Sequence, residues 1–157
     1  MARRYWLMKS EPEVFSIEDL ARAPKKTTGW DGVRNYQARN LLRDEIQVGD
    51  GVIFYHSSAD PPGAAGTAEV ARAGYPDPTQ FDPKSNHYDA EAKKDEPRWF
   101  MVDIKHTQTF PTFVPLPVLR DTPALSDMVL LRKGSRLSVQ PVTPDEWKTI
   151  VALGTRR

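Results

Sequence analysis

The run Trp30-Asp31-Gly32-Val33-Arg34-Asn35-Tyr36-Gln37-Ala38-Arg39-Asn40 brings aromatics, amides, arginines and a glycine turn into one short stretch. That mixture suits gripping a planar polar ring, because an indole offers a stacking face while amide and guanidinium groups offer hydrogen-bond donors beside it. Apolar spacing predicts a helix from Asn35, with Ala38, Leu41, Leu42 and Ile46 as its buried stripe and Arg39 at the margin. Asn35 and Arg39 then lie one turn apart, and Trp30 sits on the loop just before the helix. A tryptophan near a helix start commonly belongs to the core. Here Gly29 and Gly32 bracket it in a polar loop, so the indole is expected at the rim of a cleft.

Other polar groups fall at strand ends, where loops commonly present binding residues. Lys9 and Ser10 end a first strand that starts at Tyr5, and Tyr55, His56 and Ser57 end a second. His56 is read as a hydrogen-bonding group. It cannot form a catalytic pair with Ser57, since adjacent strand residues point to opposite faces. Near the C-terminus, Arg136, Ser138 and Gln140 alternate with Leu137 and Val139 and are expected to share a polar face. Asp77, Asp82, His87 and Asp89 are spaced too irregularly for a metal loop and read as a solvated acidic segment. There is no cysteine, the three histidines have no metal-ligand spacing, and no phosphate-cradling glycine loop is present. No metal or cofactor is expected.

The elements that must position these groups can be read from local signals. Tyr5-Trp6-Leu7-Met8 is a strand stopped by Pro12, and Ser16 caps a short helix ending near Arg22. Gly51 to His56 is a buried strand, Ala64 to Ala71 a small-residue strand, and Arg98 to Lys105 another. Tyr75 to Pro97, rich in proline and acids, reads as a long surface excursion. Val114 to Leu119 leads toward a helix near residues 124–131. Thr143-Pro144-Asp145-Glu146 is a capping box opening a last helix with Trp147, Ile150 and Val151 inward, closed by Gly154. At 157 residues and 39% hydrophobic content the chain suits one core, hence a single domain over 1–157. Its 22 basic and 21 acidic residues nearly cancel, which excludes a protein that coats nucleic-acid backbone through a strong general field. The basic start is followed by an apolar run too brief for a signal or membrane-spanning segment, so a cytoplasmic protein without membrane contact is expected.

Several ordered blocks resemble the EVE domain: Tyr5 to Pro12, Trp30 to Asn40, Phe54 to Ser57, Ala65 to Val70, Tyr75 to Thr79, Asp82 to Ser85, Pro97 to Trp99 and Arg136 to Val142. Together they span nearly the whole chain. The resemblance implies an α+β, PUA-like fold: a twisted, partly closed mixed β-sheet, or pseudo-barrel, with surrounding helices. It also places the chain beside the YTH readers of methylated adenine, in which a loop tryptophan walls an aromatic cage. Carried over, Trp30 is the cage wall, with Lys9 and Ser10 beside it.

The implied activity is non-enzymatic capture of a modified nucleobase in DNA or RNA. A single-stranded or flipped-out base is laid on Trp30 and read at its edge by Asn35, His56, Ser57, Ser138 and Gln140, with Tyr55 alongside. Lys9 and Arg39 meet the adjacent phosphate, and either Tyr36 or Trp99 supplies a second wall. Near-zero net charge implies weak binding alone, beside a nuclease or modification-system partner. The alternatives are a small hydrolase or base-modifying enzyme using His56 with Glu11 or Asp31, and a sensor of a free nucleoside or small metabolite.

Overall fold

The first strand sorts its side chains strictly by parity: Trp6 and Met8 enter one hydrophobic core and Leu7 enters another. The computed structural model describes residues 3–133 and 137–156. In it β1 (Tyr5–Ser10) is parallel to β3 (Gly51–His56) and antiparallel to β6 (Val139–Val142). β3 pairs antiparallel with β4 (Gly63–Pro76), β4 with β5 (Phe100–Pro115), and β5 with the short β2 (Thr27–Gly29). The result is a six-stranded mixed sheet in the order β2-β5-β4-β3-β1-β6. Its outer strands β2 and β6 do not pair with each other, so the mixed sheet is not closed into a full barrel. Register shifts along β4 and β5 mark bulges that bend and twist this long pair.

Both faces of the sheet are covered. α1 (Ile17–Arg22) and α2 (Tyr36–Asn40) add Ile17, Leu20 and Ala38 to the core around Trp6, Phe54 and Val102. α3 (Leu116–Arg120) and α4 (Pro144–Thr155) add Leu119 and Ile150 to the core around Leu7, Ile53 and Val114. The caps read from the sequence are formed. Ser16 accepts from the Asp19 amide and Thr143 from the Glu146 amide, each answered by the returning acid. Gly66 lies where a Cβ would collide with the Gln108 carbonyl and the Ile17 side chain, a packing reason for glycine in mid-strand.

Four expectations about elements are corrected. α2 is one short turn that widens into a π-helical turn at Leu41–Glu45, which still buries Leu42 and Ile46. The polar segment before Trp30 contains β2, too short to show a periodicity. Residues 124–131 form two 3₁₀ turns, Pro123–Leu125 and Val129–Leu131, with Leu125 and Met128 buried. The proline-rich excursion is anchored: Tyr75 and Pro76 belong to β4, and Asp77 and Gln80 are fully buried. Gln80 holds the segment by donating its side-chain amide to the Trp99 carbonyl and accepting from the Arg98 and Trp99 amides.

Candidate functional site

A cleft of about 540 Å³ opens at the C-terminal end of β1. Lys9 and Ser10 enter from the strand end, Val14 and Phe15 from the following loop, residues 28–34 from the end of β2 and its connection to α2, His87 from the anchored excursion and Ser138 from just before β6. Backbone hydrogen bonds fix these contributors. The Lys9 amide donates to the Ser138 carbonyl at 2.8 Å, the Ser57 amide to the Ser10 carbonyl at 2.9 Å, and the Trp30 amide to Val102 on β5 at 2.7 Å. Burial lowers the Lys9 ammonium from the ordinary lysine range, so this cation gains from an anionic or strongly accepting neighbour.

Trp30 lines the cleft, as its loop position suggests, but it is only 9% exposed and packs edge-to-face on Phe54 with centroids 5.5 Å apart. It is a core residue that shows a strip of its surface to the cleft. The loop behind it is shaped by Asp77, which is fully buried and accepts from the Gly32 amide at 2.8 Å, the Thr79 amide at 2.8 Å, the Thr79 hydroxyl and Arg34 Nη1 at 3.1 Å. Burial alone would raise this carboxyl, but hydrogen bonds from Thr79, Gly32 and Arg34 more than reverse that and hold it below the usual carboxylate range. Asp77 is therefore a buried acceptor, not the solvated acid expected from its surroundings in the chain. Arg34 also donates to the His87 carbonyl, from Nη2 at 2.6 Å and Nε at 3.1 Å, tying the tryptophan loop to the excursion. Gly32 has φ of +77°, and a Cβ there would lie 2.6 Å from His87 Nε2, so both conformation and space call for glycine.

The other residues read from the sequence fall elsewhere. Asn35 caps α2, its side-chain oxygen accepting from the Ala38 amide at 3.0 Å, and does not line the cleft. His56 accepts the Ile17 amide on Nε2 at 3.1 Å and stabilises the start of α1. Burial lowers its pKa, with an opposing contribution from Glu18. With Nε2 taken, the base required by a His56-centred enzyme is already occupied. Tyr55 points into the core on the other face of the sheet, and Ser57 lies beyond the cleft lining. Gln140, expected on a polar face with Ser138, is fully buried and donates to the Leu137 carbonyl at 2.8 Å; Arg136 lies outside the described residues. Tyr36 and Trp99 pack on each other with their rings tilted by 30° and centroids 4.9 Å apart, and neither lines the main cleft as a second wall. Arg39 reaches the Arg98 carbonyl at 2.7 Å, also outside it. The structure thus brings together Lys9, Ser10, Trp30 and Ser138, and adds Arg34, Asp77 and His87, which the sequence reading did not select. Arg34 carried a signal, standing two residues after the turn glycine; Asp77 and His87 carried none, being brought in from more than forty residues away.

An open mixed sheet with helices on both faces and a cleft beside a loop tryptophan defines a PUA-like α+β protein. The EVE domain model matches residues 4–153, and the chain belongs to the EVE domain family. It is 43% identical to human thymocyte nuclear protein 1 over 166 aligned positions, covering 95% of this chain and 73% of the human protein. A crystal structure of a Pseudomonas putida protein is 55% identical, with a TM-score of 0.90 over 95% of this chain and 98% of that one. Human THYN1, solved in complex with DNA containing 5-methylcytosine, is 43% identical, with a TM-score of 0.91 over 98% of this chain and 99% of that one.

Proposed function

We propose that the protein is a non-enzymatic reader that captures a modified nucleobase, of the 5-methylcytosine class, in the cleft walled by Trp30. The observation that carries this reading is the relationship to human THYN1, which was solved with 5-methylcytosine-containing DNA and superimposes over nearly the whole chain. The cleft suits the task. Its volume of about 540 Å³ falls in the range of roughly 300–1,000 Å³ typical of small-ligand pockets. Trp30, Val14 and Phe15 offer apolar surface for a ring and its methyl group, Ser10 and Ser138 offer groups for the polar edge, and Lys9 offers a cation for phosphate. A base reaches such a site only when unstacked, so single-stranded or flipped-out nucleotides are the substrates, in DNA first and RNA second. A net charge of +1 gives little general attraction to a duplex, which fits a module acting beside a nuclease or modifying enzyme.

The test is a titration of matched oligonucleotides with cytosine or 5-methylcytosine, as single strand, duplex and RNA, with mass-spectrometric analysis of the recovered strands. Expected are tighter binding of the modified strand and unaltered products. Trp30→Phe keeps an aromatic core residue while trimming the wall, and is expected to lower modified-strand affinity by about tenfold, the scale of one base-stacking contact. Equal affinity for modified and unmodified strands would overturn the reading, and turnover would replace it with an enzyme.

A further inference from the structure

Tyr36 is 52% exposed, yet its ring is not loose. It packs on Trp99 with the two rings tilted by 30°, and Trp99 is only 5% exposed, its indole donating to Asp89 at 2.7 Å. The Arg39 guanidinium lies 5.0 Å from the Tyr36 centroid and is fixed by the Arg98 carbonyl at 2.7 Å and the Asn40 side chain at 2.8 Å. Arg39 belongs to none of the ion pairs among the described residues, although its charge is felt at Asp44. The cluster adjoins the cleft through Arg34, which lines it and also lines a shallower hollow of about 380 Å³ together with His87, Tyr88 and Trp99. Its guanidinium sits 5.4 Å from the Trp99 ring. The acids of that hollow are already matched, since Asp89 and Glu91 each lie 3.3 Å from Arg98.

We propose that Tyr36 and Arg39 form a second subsite that holds the nucleotide flanking the captured base. The half-open tyrosine ring, backed by a rigid indole, takes the flanking base or sugar face, and the neighbouring guanidinium takes its phosphate. Contacts of this kind tolerate any sequence and matter only when the modified base is part of a strand. This inference rests on the reader assignment and assigns to it a polynucleotide ligand, not a free nucleoside.

The experiment compares wild type, Tyr36→Ala, Tyr36→Phe and Arg39→Gln, each titrated with 5-methyl-2′-deoxycytidine and with a short single strand carrying one 5-methylcytosine. Melting temperatures confirm that the variants fold. Expected for Tyr36→Ala is a loss of about tenfold on the strand with nucleoside affinity unchanged, while Tyr36→Phe stays near wild type. Arg39→Gln should lower the salt slope of strand binding by about 1. Unchanged strand affinity in both Tyr36→Ala and Arg39→Gln would overturn the subsite and leave the reader assignment standing. Parallel losses on nucleoside and strand would overturn it too, by moving Tyr36 into the cleft. A wild type that prefers no modified ligand would overturn the reader assignment and the subsite together.

Discussion

Trp30 both fills the core against Phe54 and shows a strip of indole to the cleft, so its two roles cannot be separated by deletion. Trp30→Ala would remove a nearly buried indole at a cost of about 3–5 kcal/mol, which would obscure any effect on binding. His56 has one role, and it titrates. Its neutral imidazole accepts the Ile17 amide, and burial holds its folded pKa below the unfolded value. The unfolded chain therefore binds more protons than the folded one in that interval, so stability is full above the ordinary histidine range and declines as pH falls through it. His106, also lowered by burial and by Lys26, acts in the same direction. Denaturant melts between pH 7.5 and 5.5 are expected to show wild type weakening toward acid, and His56→Gln, which deletes one of the two histidines whose pKa burial lowers, weakening less (both pH values are about one unit from the ordinary histidine value). Equal slopes would remove His56 from this account. Nothing local in the sequence could reveal that the acceptor of His56 would be consumed by an amide 39 positions away, at Ile17.

At the scale of elements, the cleft depends on the buried carboxylate that joins the tryptophan loop to the 77–97 segment. Asp77→Ala would leave the Gly32 and Thr79 amides and one arm of Arg34 without their acceptor. Breaking a buried, charge-assisted network of this kind costs about 3–5 kcal/mol. The expected result is a markedly lower melting temperature together with weaker ligand binding, whereas Asp77→Asn, which keeps one acceptor oxygen, should lose less of both. A melting temperature unchanged in Asp77→Ala would contradict the anchoring role. Elements whose signals are local were legible in the sequence: the Ser16 cap, the Thr143 capping box, the strand ending at His56 and the inward stripe of Ala38, Leu42 and Ile46. β2 was not, because three residues show no period. The excursion was misread for a related reason: its prolines and acids resemble solvated loop, and the partners that bury Asp77 and Gln80 lie on other elements.

For the whole molecule, the near balance of charge puts recognition on one cleft and its margin instead of on a general field. The family and the α+β class followed from ordered motifs along the chain, while the composition of the cleft required the fold, because β1, the Trp30 loop, the excursion and the segment before β6 meet only in three dimensions. The central claim is that this cleft is where the modified base goes. The direct measurement is an amide chemical-shift titration of the full chain with 5-methyl-2′-deoxycytidine. Saturable shifts are expected at Lys9, Ser10, Thr28 to Arg34, His87 and Ser138, with the opposite sheet face silent. Shifts confined to the hollow lined by Arg3, Arg4 and Asp50, or no saturable shift, would contradict it.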